Sequence, residues 1–340
     1  MKRIILLLIG TLFIFCTLAV GDDTAVVGVG GAIQAMKSHP SIRMVSEDVS
    51  IRLYPERYTV RCQFEFKNEG EDTVAYMGFP ENAVGDVPQQ KTSQFEYFRT
   101  AVDGVPVKST FQPSPPSEEN EYTGWHIKNV QFKRGQTRIV TVDYASPVGE
   151  TSDGSRFCSY IMHTGSSWKG KIGRAVIHVD IGAITKHYTV TSISPKQAKI
   201  QGNTIIWRFS NLEPTADDDI SVRFEIKRPV INGKRVNEWD LRCSIIKDTV
   251  FMPVRVLENK GIAKILQGAS KGECIIDYSG RQMKIKVGSQ TAVIDGTRSV
   301  KLTHAPVMRN DRIEVPIASV VKALGGKAWT EQGVLHMEIH

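Results

Sequence analysis

Val230-Ile231-Asn232-Gly233-Lys234-Arg235 is echoed 63 residues later by Val293-Ile294-Asp295-Gly296-Thr297-Arg298. The same step carries Asp248 onto Asp311 and Pro253 onto Pro316. In each copy an Asn-Gly or Asp-Gly turn between β-type residues leads to an apolar-Pro-apolar run. Those dipeptides signal hairpins, because both residues tolerate the positive φ that a two-residue turn requires. Self-similarity at a fixed spacing marks a duplicated supersecondary unit, since one such unit rarely buries its apolar face alone. Residues 229–340 are therefore expected to form a small α+β domain of two similar units. The runs after Pro253 and Pro316 each predict a short helix with proline at its first position, where the missing N–H has no intrahelical partner. Gly261 and Gly325 would supply the left-handed residue that ends each helix. Strands are expected over 274–278, 283–287, 291–294 and 334–339.

Upstream the period changes to two. Tyr58, Val60, Cys62, Phe64 and Phe66 alternate with Arg57, Thr59, Arg61, Gln63, Glu65 and Lys67. That pattern is a strand with one buried and one wet face. It recurs at Val140, Val142 and Tyr144, at Ala175, Ile177, Val179 and Ile181, and at Ile220, Val222, Phe224 and Ile226. Turn signals such as Asp103-Gly104 and Gly202-Asn203 separate the runs, and no convincing amphipathic helix intervenes. The expectation is an all-β, antiparallel sandwich over 41–228, so the protein as a whole is mostly β. The proline-rich stretch 112–120 reads as a surface loop. Residues 22–40, with Gly28-Val29-Gly30-Gly31, read as an irregular arm, because no strand precedes them to make a phosphate-binding loop.

The 340 residues suffice for two domains, and 41% apolar content is that of a globular chain. Met1-Lys2-Arg3 followed by an uncharged run from Ile4 to Val20 reads as a signal peptide over 1–21, cut after Gly21. A cut after Ala19, or retention of the run as a membrane anchor, are the alternatives; export follows in each case. The formal charge of +7 falls to +5 once Lys2 and Arg3 leave with the leader. No dense basic block exists, so no nucleic-acid partner is expected, and the membrane is reached only through an uncleaved leader. Cys62, Cys158, Cys243 and Cys274 remain in the exported chain. An even number suggests disulfides, with Cys62–Cys158 and Cys243–Cys274 as one staple per domain; four buried free thiols are the alternative.

Candidate chemistry is sparse. His336 and His340 fall on one face of a strand but offer too few ligands for a metal site, and no metal or cofactor is expected. His178 and Asp180, with His163 and Ser166-Ser167, invite a triad, yet the string Gly165-Ser166-Ser167-Trp168-Lys169-Gly170 lacks the nucleophile elbow. Asp217-Asp218-Asp219 reads as a solvated turn. Trp168, among small and polar residues, and Trp239, at the domain junction, are the tryptophans expected at a binding surface.

Residues 230–340 resemble the copper amine oxidase N-terminal-like domain of bacterial surface and secreted proteins. The likeness runs through Ile231-Asn232-Gly233-Lys234, Phe251-Met252-Pro253-Val254-Arg255, Val287-Gly288-Ser289, Ile294-Asp295-Gly296, Val315-Pro316 and Leu324-Gly325-Gly326, as far as Trp329. It departs at Ala318, where the family's second copy often carries arginine. Residues 22–228 resemble a second family of secreted bacterial proteins of unknown function. That likeness runs through Asp22-Asp23-Thr24-Ala25, Ile42 to Asp48, Phe79-Pro80 and Thr164-Gly165 to Lys169-Gly170. The first resemblance does not imply an oxidase: the quinone-forming Asn-Tyr context is absent and the eight histidines are scattered. The expectation is a non-catalytic secreted or cell-envelope scaffold or binding protein, with cell-wall glycan or another envelope protein as its partner. An envelope hydrolase with an unrecognised active site is the rival.

Overall fold

The computed structural model describes residues 26–340 except 38, 85–91, 115–121 and 237–242. The expected leader, Gly21 and Trp239 lie outside the described residues. Among the described residues no helix is long and apolar enough to cross a membrane.

The alternating stretch forms the strand Arg57–Asn68, with Tyr58, Val60, Cys62, Phe64 and Phe66 all buried. Ile42–Leu53 and Thr137–Pro147 flank it antiparallel in an eight-stranded sheet. A nine-stranded sheet, which includes Thr73–Val84, Gly124–Phe132, Arg156–Ile161 and Ile220–Ile226, packs over it. Phe79, Met77, Tyr160 and Phe224 from that sheet share one apolar cluster with Phe64 and Tyr144. Each such side chain contributes about 1.5–3 kcal/mol by leaving water, so the interleaved faces hold the sandwich shut.

The structure corrects the sandwich in two respects. It is not wholly antiparallel, because Ile172–Asp180 runs parallel to Ile42–Leu53 and Val26–Gly31 runs parallel to Arg156–Ile161. Nor is the described part of the expected arm irregular throughout: Val26–Gly31 is an inner strand, antiparallel to Thr73–Val84 on its other side. Its glycines are there for close approach. A Cβ on Gly30 would stand 2.6 Å from the Tyr144 hydroxyl, and one on Gly31 would stand 2.4 Å from Ile161.

Beyond residue 228 the duplication is realised as paired hairpins. Asn232 and Asp295 take φ of 49° and 50°, each followed by a left-handed glycine. A second pair of turns repeats the step, with Asp248 at φ 65° and Asp311 at φ 57°. The middle hairpins of the two units meet edge to edge, as Thr249–Pro253 pairs antiparallel with Arg312–Pro316. The first hairpin of unit one pairs with the last of unit two, as Val230–Ile231 lies parallel to Val334–Glu338. In the symmetry-related sheet an extra strand, Arg281–Lys286, separates the corresponding partners. The helices are α1, Val256–Asn259, and α2, Ile317–Ala323, ended by Gly261 and Gly325 at φ 67° and 98°. Pro253 and Pro316 close the strands before the helices rather than occupying the first helical position. Met252, Leu257, Ile276, Val315 and Val320 fill the core between the units.

Ile226 packs against both cores and so joins sandwich to module.

Candidate functional site

Where the two modules meet, they leave a cleft of about 320 Å³. The sandwich supplies the turn Glu150 to Gly154, Arg156 and Glu225, and the module supplies Cys243, Ser244, Arg309, Asn310 and Glu314. Clefts between domains are a common place for small-ligand sites. The sandwich wall is hydrogen-bonded within itself. Thr151 donates its hydroxyl to Asp153 at 2.5 Å and the Ser155 N–H donates to the same carboxylate oxygen at 2.9 Å. These bonds, the Thr151 hydroxyl foremost, hold the Asp153 carboxyl below its usual range. Arg156 is 8% exposed; its Nη1 donates to the Pro55 carbonyl at 2.8 Å, to Glu56 at 2.9 Å and to the Tyr188 hydroxyl at 3.2 Å.

On the module wall Glu314 is 3% exposed, and Ser244 donates to its Oε2 at 2.7 Å. Burial raises the Glu314 carboxyl above its ordinary value. Burial also pushes the Cys243 thiol up to about 12, so it stays protonated and weakly nucleophilic at neutral pH. Glu150, Asp153, Glu225 and Glu314 line it with Arg156 and Arg309. Glu150 lies 3.9 Å from Arg156 and Glu225 pairs with Arg228 at 3.4 Å, which leaves Asp153 and Glu314 as the carboxyl groups without an ion-pair partner among the described residues. Chemically the cleft is suited to accept hydrogen bonds from a positively charged guest.

Other polar constellations lie in the sandwich. His163 Nδ1 lies 2.8 Å from Asp219 Oδ2, and the Tyr122 hydroxyl lies 2.7 Å from His163 Nε2. Asp219 also accepts the backbone N–H groups of Met162 and His163, and so pins the 3₁₀ turn His163–Ser167. The acidic run is thus no simple solvated turn, since Asp218 caps Thr215 while Asp219 clasps His163. A second group joins Ser93, Glu81 and His126. Both the Ser93 hydroxyl, at 2.7 Å, and His126 Nε2, at 3.0 Å, reach the same Glu81 oxygen. The Ser93 hydroxyl also lies 3.3 Å from Nε2, so both contacts of His126 fall on one ring nitrogen, whereas His163 is bonded through both. His178 and Asp180 do share a face, but Asp180 pairs with Arg52 at 3.3 Å and His178 Nε2 is buried without a partner among the described residues. Ser166 and Ser167 bond to backbone carbonyls of their own turn.

Trp168 is not a surface platform. It is 4% exposed, its indole N–H donates to the Ile33 carbonyl at 2.5 Å, and its ring lies 4.7 Å from that of Phe66. The expected disulfides are likewise not formed: Cys62, Cys158, Cys243 and Cys274 are free, buried thiols. Cys62 and Cys158 sit on opposite sheets, and Cys62 Sγ is engaged with the Tyr160 hydroxyl at 3.6 Å. Burial pushes Cys158 up to about 12 and Cys274 up to about 11. Among the described residues no three His, Cys, Asp or Glu side chains gather as metal ligands, and His336 instead stacks on Trp329.

Two further buried ionisable groups, like Arg156 and Glu314 of the cleft, escaped the sequence reading. Glu47 is fully enclosed, with one oxygen bonded by Tyr160 at 2.7 Å and the other unpaired; burial raises its carboxyl to about 8. Lys128 has a buried, unpaired Nζ, and burial lowers it to about 7. Lys128 was legible, because it falls between His126 and Val130 on the inward phase of its strand. Glu47 was not, because a bulge between Met44 and Ser46 inverts the phase of Ile42–Leu53.

Residues 230–337 match the family described as copper amine oxidase N-terminal domain, and residues 21–123 match a domain of unknown function, DUF4424. No curated protein matches the chain. Among solved structures, a candidate nutrient binding protein from Legionella pneumophila is similar at 21% identity. The match covers 60% of this chain and 73% of that one, with a TM-score of 0.50. An M1 zinc metallopeptidase from Deinococcus radiodurans matches at 7% identity over 55% of this chain and 43% of its own, with a TM-score of 0.28. Leukotriene A4 hydrolase from Saccharomyces cerevisiae matches at 8% identity over 56% and 30%, with a TM-score of 0.29. The chain spans less than half of either of these two proteins, and likeness at that level says nothing about chemistry.

Proposed function

We propose that this chain is an exported, non-catalytic binding protein of the cell envelope that holds a small, positively charged polar ligand between its two modules. The observation that carries the reading is the junction cleft, where Asp153 and Glu314 stand without an ion-pair partner among the described residues while Glu150 and Glu225 are paired with Arg156 and Arg228. Such a cleft attracts cations and gives a buried acceptor to orient them. The charged run-up at Met1-Lys2-Arg3 and the apolar stretch after it support export. The non-catalytic reading is supported by the commitments of the titratable groups: Asp219 and Glu81 are engaged in holding turns, and the Cys243 thiol is not activated. A wall-glycan ligand loses support with the burial of Trp168. The Legionella protein of similar fold is described as nutrient binding, and a small-ligand cleft is in keeping with that description.

Thermal unfolding of the mature chain with millimolar arginine, lysine or putrescine, against acetate and glucose, tests the reading. A rise in midpoint with the cations alone is expected. No rise, or a larger one with acetate, would contradict it.

A further inference from the structure

Much of the charge around the junction cleft is already spent. Arg156 is committed to the sandwich: beyond its bonds to the Pro55 carbonyl, Glu56 and the Tyr188 hydroxyl, its guanidinium lies 5.8 Å from the Tyr188 ring centroid and its Nε 3.9 Å from Glu150. Glu225 is held by Arg228. Of the charged groups that line the cleft, Asp153, Glu314 and Arg309 are left without an ion pair among the described residues. The donors to the two carboxylates are neutral, the Thr151 hydroxyl and Ser155 N–H for Asp153 and the Ser244 hydroxyl for Glu314. They orient these groups without cancelling their charge. Arg223 acts on Asp153 only at longer range.

The three groups are placed unevenly. Arg309 and Glu314 belong to one hairpin, Val307–Arg309 with Arg312–Pro316. Arg309 stands opposite Arg312, and Glu314 is two residues beyond Arg312, so Arg309 and Glu314 share a face. Burial, which raises the Glu314 carboxyl, is opposed by the Ser244 bond and then by Arg309 and Arg312, yet no ion pair joins Arg309 to Glu314. Arg312 does not line the cleft. Asp153 faces the pair from the turn on the sandwich wall.

We infer, on the cationic reading of this cleft, that its guest is a free basic α-amino acid such as arginine or lysine. An α-ammonium and an α-carboxylate share one carbon, so they need an acceptor and a donor side by side. Glu314 and Arg309 provide them on the module wall, and the side-chain cation crosses the cleft to Asp153. Two unpaired anions and one unpaired cation are complemented by two positive groups and one negative, the charges of arginine or lysine at neutral pH. A diamine would leave Arg309 uncompensated, and a neutral amino acid would leave Asp153 so. A cleft of about 320 Å³ is of the size that takes a small molecule. Arg309 is then the residue that tells an amino acid from a polyamine.

The test is calorimetric titration of the intact mature chain, parent and Arg309→Gln, with L-arginine and with agmatine, which is arginine without its carboxylate. Arginine should bind the parent at least tenfold tighter than agmatine. Arg309→Gln should remove that margin and leave agmatine binding as it was, which also shows the variant folded. Agmatine binding the parent as tightly as arginine, or Arg309→Gln weakening both ligands alike, overturns the amino-acid assignment and leaves the cation cleft standing. Binding of neither ligand by the parent removes both.

Discussion

His187 Nε2 lies 2.5 Å from Asp248 Oδ1, and this contact ties the last loops of the sandwich to the first unit's turn in the module. Lys186 reaches the other oxygen of the same carboxylate. The pairing holds the Asp248 carboxyl below its usual range, the Lys186 bond foremost and His187 second. A depressed folded value means that the stabilisation is present above the unfolded carboxylate value and is lost as pH falls through the folded one. The contact should therefore loosen in acid and in high salt, being exposed. Asp248→Asn should raise amide exchange at 186–188 and 247–249 while the strands of each module keep their protection. Unchanged exchange at those segments would remove the clamp from the account.

Glu47 predicts a pH dependence of the opposite kind. Its carboxyl is raised by burial from 4.5 to about 8, so the folded state holds a proton that the unfolded state has released. Stability should fall with rising pH across that window, by about 1.4 kcal/mol per unit. Glu47→Gln should flatten the slope. Urea unfolding at pH 5.5 and pH 8 in both proteins measures the difference; parallel behaviour would show that Glu47 ionises freely in the fold.

Lys128 works in a higher window. Burial lowers its ammonium from 10.5 to about 7, so below neutrality the fold carries the cost of an enclosed charge. That cost is relieved as pH rises from 7 towards 10.5. Lys128→Met should be more stable than the parent at pH 6, and the advantage should shrink by pH 10. Equal midpoints at both pH values would contradict the burial.

Trp168→Ala should cost about 3–5 kcal/mol, the usual loss for emptying a large aromatic site. Trp168→Phe should cost less, losing chiefly the bond to the Ile33 carbonyl. Neither should change ligand binding at temperatures where the variant is folded. Selective loss of binding with unchanged stability would restore Trp168 to the surface.

How much of this was legible follows from how local each signal is. Strand Arg57–Asn68 and the repeated hairpins could be read directly, because alternation and Asn-Gly turns act over a few residues. Val26–Gly31 was hidden, since its glycines report a need for close approach only once Tyr144 and Ile161 are known to lie against them. Trp168 misled for a similar reason: the small residues around it make a tight turn against Ile33 and Phe66, not an open surface. Paired cysteines were inferred from parity, which carries no geometry. The junction cleft brings Glu150 and Arg156 to Glu314 from the other module, and no local pattern announces such a meeting.

The most direct measurement is calorimetric titration of arginine into the intact mature chain and into its Glu314→Gln variant, with arginine assayed afterwards for chemical change. The account predicts saturable binding to the parent, at least tenfold weaker binding to the variant, and arginine recovered intact. Equal binding by both proteins, or arginine consumed by the parent, would contradict it.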